Sequence, residues 1–451
     1  MSKLQITNGN IPHLPERAGA NRYDPANVAL RSRQQLAEHE ELLGACVGIA
    51  PAIVRQELRP LHFDSRASQL AHMAWRRVAL LLFAVGWGAN HFVSLLQVYR
   101  ARLALDAAAP GMLFAMYALG LAPGLLLAGP VSDRYGRRAV VLPSALVALA
   151  ASALLGAAGA SFSLLLGGRL LYGLGAGGVM SAGGAWLIEL SSDSAGAGPR
   201  RATIALSSGF GLGPLVTGVL AQCAPAPTRA PFVLHVAVLG CALLIARRAP
   251  DTGARAAARA GAAKRPLIRI ELEPDAWSSF LRSVAPMAPF VFGFPAIAFA
   301  ALPSMLGGAL GPAPLIYTGA LCAFTLAAGV LAQPITRRFA PTVAARLGLV
   351  TGTAGVLLGA LAVTARMPAA LLVVAPLLGA AYGVCMTSGI QSVQRLAPPE
   401  ARGGVMGLFY LLTYIGFLAP YLLALATRAV TPAVALEVVA AASLITALII
   451  R

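Results

Sequence analysis

Acidic side chains are scarce in this chain: 17 Asp and Glu against 35 Lys and Arg in 451 residues, for a formal net charge of +18. Charged residues of both signs make up only 12% of the sequence, and apolar ones 58%. Soluble domains carry about 25% charged residues, so this balance excludes an ordinary water-soluble core and fits helices that face hydrocarbon. Cysteine is sparse and scattered (Cys46, Cys223, Cys241, Cys322, Cys385), with no CxxC pair, which excludes a disulfide framework and a zinc site. There is no Walker loop and no HExxH. Gly173-x-Gly175 lies inside a long apolar run rather than after a strand, so it is no dinucleotide fingerprint. No cofactor, metal or enzymatic activity is expected. Residues 1–72 lack an apolar core of the signal-peptide kind.

What is present is a series of long apolar runs. Helices are expected at about 77–99, 110–128, 139–158, 162–189, 203–222 and 231–247, then at 284–306, 315–334, 343–365, 369–391, 403–427 and 432–450. At 1.5 Å per residue each spans about 30 Å of hydrocarbon. The reading is an all-α membrane protein in four parts: a polar extension over 1–76, six helices over 77–247, a linker over 248–283 and six more helices over 284–451. Within the extension, Gln34 to Leu58 has helical character. The segment reads as a weakly ordered tail, a partner-binding tail, or a stretch upstream of a natural start at Met73.

The basic residues sit in the turns, unevenly. With the N-terminus inside, twenty-one fall on the cytoplasmic side and five (Arg100, Arg102, Arg229, Arg366, Arg428) on the other. That asymmetry places both termini and the linker in the cytoplasm, with the chain in the cell inner (plasma) membrane. It also accounts for the positive charge without a nucleic-acid partner. The halves repeat: Ala128-Gly-Pro-Val-Ser-Asp-Arg134 aligns with Ala332-Gln-Pro-Ile-Thr-Arg-Arg338, with Arg337 where Asp133 was. Duplicated six-helix halves with substrate at their interface are a known transporter architecture.

Three motifs sharpen this. Between the second and third runs stands Gly129-Pro-Val-Ser-Asp133-Arg134-Tyr-Gly136-Arg137-Arg138, read as a tight, charge-dense turn. The fourth run carries Arg169-Leu-Leu-Tyr-Gly173-Leu-Gly175, and the fifth Gly209-Phe-Gly-Leu-Gly213-Pro214-Leu-Val-Thr217-Gly218. The first closely resembles the loop signature of the major facilitator superfamily, and the second that family's fourth-helix pattern. The third resembles its antiporter motif, with Thr217 in place of one glycine. The resemblance covers about residues 74–451. It implies twelve transmembrane helices in two pseudo-symmetric bundles and secondary transport of a small organic solute by alternating access. Export of a drug or metabolite, in the manner of bacterial efflux members, is favoured. Nutrient uptake and a non-transporting receptor or scaffold are the alternatives.

The resemblance further implies that Asp133 docks on the start of the eleventh helix, where Gly403 and Gly404 permit close approach, and latches the halves together. The competing reading is that Asp133 merely pairs with Arg137. Arg169, buried in lipid at a cost, either faces a cavity or binds neighbouring carbonyls. Helices that line the pathway in this fold supply a candidate substrate cavity: Asn90, His91, Gln97, Tyr117, Tyr382, Gln391, Tyr410 and Tyr414, with Phe290, Phe292 and Phe294 as apolar wall. A coupling proton would need His91, Glu189 or Glu437 as its carrier, and no central carboxylate favours a strongly cationic substrate. The expected partners are a small-molecule substrate and the bilayer, with the protein a monomer.

Overall fold

Apolar runs in lipid must satisfy every backbone polar group within themselves, which leaves helices as the solution for this chain. The computed structural model describes residues 74–106, 108–159, 161–191, 197–252, 270, 272–336, 338–398 and 401–450. All belong to one of two units, Gln69–Arg451. The extension, its Gln34–Leu58 segment and Met73 lie outside the described residues, as do most of the linker, Arg337 and Glu400.

Among the described residues, twelve long helical segments follow in order. The first six are α1 (Ala74–Arg102), α2 (Ala109–Tyr135), α3 (Arg137–Ala157), α4 (Phe162–Glu189), α5 (Ala197–Cys223) and α6 (Ala230–Ala246). The second six are α7 (Pro274–Leu310), α8 (Pro314–Thr336), α9 (Pro341–Thr364), α10 (Pro368–Leu396), α11 (Arg402–Ala426) and α12 (Pro432–Ile449). Eleven are long and apolar enough to cross a bilayer; α6, with 17 residues, is apolar but shorter. Each half packs largely on itself, α2 on α4, α1 on α5 and α3 on α6 in the first, α8 on α10 and α9 on α12 in the second. The halves meet along two seams, α5 against α8 and α2 against α11.

Two expectations are corrected. Residues 129–138 are not a loop, because α2 continues through Tyr135 and α3 begins at Arg137, leaving Gly136 as the whole connection. Gly136 has φ +102°, a left-handed value that disfavours any side chain. The apolar run ends at residue 128, but nothing ends the helix there, so it carries its polar last turns beyond the run. The linker is also shorter than expected, since α7 starts at Pro274 rather than 284, with Glu273 extended before it and proline at its first position.

Several helices lose regularity at one level. α1 tightens to a 3₁₀ turn over His91–Leu95 and α11 over Ile415–Leu418, while α4 widens over Val179–Gly183 and α7 over Ile297–Ala301. Such turns cluster at functional sites.

Candidate substrate cavity and closure contacts

A cavity lies where both halves face each other. Asn90 of α1, Tyr117 of α2, Met180 of α4 and Phe210 of α5 line it from the first half. Phe292, Pro295 and Phe299 of α7, Leu326 of α8, Tyr382 of α10, and Tyr414 and Phe417 of α11 line it from the second. Met180, Phe299 and Phe417 sit in the irregular turns, and Asn90 and Tyr414 immediately precede two of them. Phe292 stands at the centre of a ring stack, its centroid 4.9 Å from Tyr414, 4.9 Å from Phe417 and 5.7 Å from Tyr382, with planes within 28°. No Asp, Glu, His, Lys or Arg lines the space. Its free volume is about 30 Å³ in this conformation, room for water but not for a solute.

Of the candidate residues, the structure brings Asn90, Tyr117, Tyr382 and Tyr414 together here. The others lie elsewhere. His91 is fully buried inside the first half, its ring 4.5 Å from Phe232 and 4.8 Å from His235, since adjacent residues of a helix point about 100° apart and it cannot share Asn90's face. Gln97 is nearer the end of α1 and donates across the α1–α8 gap to Thr318 Oγ1 at 3.4 Å. Tyr410 packs on Phe409, and Gln391 is half-buried five residues before the end of α10 at Leu396. Of the three phenylalanines expected as apolar wall, Phe290, Phe292 and Phe294, only Phe292 lines the cavity. Phe290 packs on Phe294, one turn on and fully buried, on the other face of the helix. Sequence reasoning missed Phe299 and Phe417, although spacing marks them: 292, 295 and 299 share one face of α7, and 414 and 417 one face of α11.

Arg169 does not reach the cavity. It is 1% exposed and donates from Nε to the Leu113 carbonyl (3.3 Å) and from Nη1 to the Ala89 carbonyl (3.2 Å). Its guanidinium lies 3.6 Å from the Phe92 ring centroid and 4.3 Å from that of Tyr117. It therefore ties α4 to α1 and α2 behind the cavity wall. Gly173 and Gly175 bring α4 against α2 and α3: a Cβ on the first would come within 2.2 Å of the Tyr117 carbonyl, and on the second within 2.5 Å of Ala148 N. In α5, Gly209 and Gly213 face Phe83 and Trp87 of α1, Ser94 donates to the Pro214 carbonyl at 2.8 Å, and Gly218 turns to α8.

The two ends of the halves differ. At one end the seams are tight. A Cβ on Gly218 would fall 2.4 Å from the Leu315 carbonyl oxygen, and one on Gly111 2.5 Å from the Tyr421 backbone. Gln222 bridges to the Pro312 carbonyl and the Leu315 N–H, and Asp106 pairs with Arg428 across the halves. Larger cavities, of about 190 and 350 Å³, lie at this end and share Leu96, Arg100, Pro110 and Ser304. They adjoin the seal, the smaller one taking in Gly111 itself, whereas the central space is the one walled by aromatic rings from both halves.

At the other end, Asp133 is 59% exposed and pairs with Arg137. A Cβ on Gly403 at the start of α11 would meet nothing within 4 Å. Arg137 also donates to Glu189 Oε1 from Nη2 (2.7 Å) and Nε (3.1 Å), and to Ser132 Oγ (2.7 Å). Glu189 accepts from Thr252, while the Asp251 carboxylate accepts from the Arg137 N–H at 3.0 Å and fills the space beside Gly136. Trp186 Nε1 donates to the Pro250 carbonyl at 2.8 Å. The start of the linker is thus pinned on the α2–α3 corner, a role for Glu189 and Asp251 that no motif announced. Arg134 is half-buried and Arg138 exposed at the same corner, and Gly129 faces Ser181. Glu437 is exposed on α12.

Two halves of six helices, meeting along α2–α11 and α5–α8 around a shared cavity, agree with a family match over residues 78–420 to the Major Facilitator Superfamily. The chain belongs to that superfamily. It is accordingly a multi-pass membrane protein. Over 64 residues it is 45% identical to multidrug resistance protein MdtL of Escherichia coli and of Shigella boydii, 14% of this chain and 16% of those relatives. The similarity thus spans less than a fifth of the length of these curated relatives. Among solved structures, the nucleoside transporter NupG aligns with a TM-score of 0.65 at 14% identity, over 84% of this chain and 98% of that one. A peptide transporter POT in complex with sulfate aligns at 0.66 and 15%, over 84% and 93%. At these identities the structures share the fold.

Proposed function

We propose that this superfamily member exports a small organic solute by alternating access, as a monomer in the cell inner membrane with both termini and the linker cytoplasmic. The observation that carries the reading is the contrast between the ends of the cross-half seams around one central cavity. One end is sealed by Gly218–Leu315, Gly111–Tyr421 and Asp106–Arg428; at the other Asp133 stands exposed. With the basic excess inside, the sealed end is outward and this conformation is closed to the outside. Rocking the halves about the cavity breaks the outer seal and brings the Asp133 corner towards the start of α11. A carboxylate docked on a helix N-terminus is stabilised there, so Asp133 latches the outward-facing state.

The glycine-rich face of α5 and the short likeness to multidrug resistance proteins support the export direction. Proton antiport supplies the driving force in this reading, without a carrier in the cavity itself. The test is solute accumulation in energised inside-out vesicles. Accumulation that an uncoupler abolishes supports proton-driven export. Accumulation only in right-side-out vesicles overturns export in favour of uptake, and no flux in either orientation favours a receptor or scaffold.

A further inference from the structure

We propose that the substrate is an uncharged, planar aromatic molecule that inserts into the ring stack around Phe292; this rests on the transport reading above. Phe292 lies nearly parallel to Tyr414 and Phe417, at 17° and 14°, and each centroid is 4.9 Å away. Phe417 lies 5.7 Å from Tyr414 and 5.9 Å from Phe114, at 28° and 29°, so the near-parallel rings form a cluster that reaches from the second half into the first. A flat ring that enters this cluster exchanges one stacking partner for another, whereas a saturated body of the same outline separates the rings and restores nothing.

The polar groups set the other half of the specificity. The Asn90 amide and the hydroxyls of Tyr117, Tyr382 and Tyr414 line the cavity and make no hydrogen bond to any described residue. They can give or accept one or two hydrogen bonds at the edge of a bound ring. Charge is not accommodated. No Asp or Glu lines the cavity, and Arg169, stacked behind Tyr117, spends two of its nitrogens on the carbonyls of Ala89 and Leu113. A cation would enter an apolar space with an arginine close behind its wall and no carboxylate to offset it. An anion would find that arginine screened by the Tyr117 ring. The free volume of about 30 Å³ requires the rings to part on binding. Their helices are irregular at that level, over Ile297–Ala301 and Ile415–Leu418, where a small backbone shift moves Phe299 and Phe417.

Three probes of similar size separate the terms: 2-naphthol (flat, neutral), decahydro-2-naphthol (same outline, saturated) and N-methylquinolinium (flat, cationic). Binding to the purified full chain in lipid nanodiscs is read by calorimetry. The expected result is that 2-naphthol binds at least tenfold more tightly than either of the others. Phe292→Leu should remove most of that preference and Phe292→Tyr should keep it. If Phe292→Leu does not fold, Tyr414→Leu serves the same purpose. Equal binding of the saturated alcohol, tighter binding of the cation, or no binding of 2-naphthol overturns the proposal. The transport reading fails separately: selective 2-naphthol binding without flux of any solute in vesicles overturns transport and leaves the site's chemistry standing.

Discussion

Asp106, in the turn between α1 and α2, pairs with Arg428, in the turn between α11 and α12, and so joins the two halves at the end remote from Asp133. Of the ion pairs formed between described residues, it alone crosses between them. Asp106 also accepts from the Ala109 and Ala108 N–H groups at 2.8 and 3.0 Å, capping α2. The Ala109 N–H first, then the Ala108 N–H and the arginine, hold its carboxyl below the usual carboxylate range, against a smaller opposing effect of desolvation.

Asp106→Asn keeps the cap, since Asn caps helices well, and removes only the ion pair. Exposed pairs are weak, so closure at this end should loosen by roughly two- to fivefold rather than fail. The readout is labelling of Ala300→Cys by a thiol reagent that does not cross the membrane, in a background without the native cysteines, because Ala300 is 4% exposed and lines the cavity that Gly111 of the seal also lines. The two N–H groups stay with Asp106 when the halves part, so only the Arg428 share of that lowering favours the closed form; it is present while the carboxyl is ionised and is lost as pH falls through its lowered range. Because the thiolate fraction falls with pH in every variant, the comparison is the ratio to Asp106→Asn, and labelling of the native pair relative to that variant should rise as pH falls through this range. Identical pH profiles would exclude the pair as a closure contact.

Gly218 makes a stronger demand on the same seal. A side chain there meets the Leu315 carbonyl backbone, which cannot swing aside. Forcing bulk into such a contact costs about 1–3 kcal/mol, set against closure alone because Gly218 faces the other half. Gly218→Val should therefore raise Ala300→Cys labelling by roughly tenfold and slow transport, with the protein still folded. Unchanged labelling with normal flux would mean that this seam does not move.

The architecture was legible because it depends on averages: run length, charge asymmetry and a repeated motif survive errors of a few residues. The cavity was legible in part. Asn90, Tyr117, Tyr382 and Tyr414 were found because polar atoms stand out in apolar helices. His91 was misplaced because it was grouped with Asn90 by polarity alone, although adjacent residues of a helix point about 100° apart and do not share a face. Phe299 and Phe417 were passed over because a phenylalanine in a membrane helix is unremarked until its facing partner is known. Asp106, Glu189 and Asp251 took their roles from partners 322, 52 and 114 residues away, which chain order does not show.

Arg169 tests the difference between a ligand contact and a structural one. It holds two carbonyls on two helices and stacks on two rings. Hydrogen bonds to a charged group contribute ~1.5–3 kcal/mol each, and lysine reproduces neither the fork nor the stacking. Arg169→Lys should lower the melting temperature clearly, nearly as far as Arg169→Met. Solute affinity in whatever folded fraction remains should stay within about threefold, the spread expected of changes beyond direct contact. A stable Arg169→Lys that has lost binding would move Arg169 from the scaffold to the site.

Asp133→Asn separates the two readings of the loop signature. In the conformation seen here Asp133 is largely exposed, and Arg137 keeps Glu189 and Ser132 without it. Removing an exposed pair of this kind changes stability by at most about 1 kcal/mol, so this form should melt almost unchanged. If Asp133 also docks on the start of α11 in the opposite form, the same substitution removes a carboxylate from a helix N-terminus, a contact worth ~0.3–1 kcal/mol at an exposed site and up to ~2 kcal/mol when partly buried. The equilibrium should then shift inward by up to about thirtyfold, and Ala300→Cys labelling should fall while the melting temperature holds. Gly403→Val, at a position open in this form, should act in the same direction by blocking the approach. A melting temperature that drops with no change in labelling would reduce Asp133 to a partner of Arg137 and leave the outward-facing state without its latch.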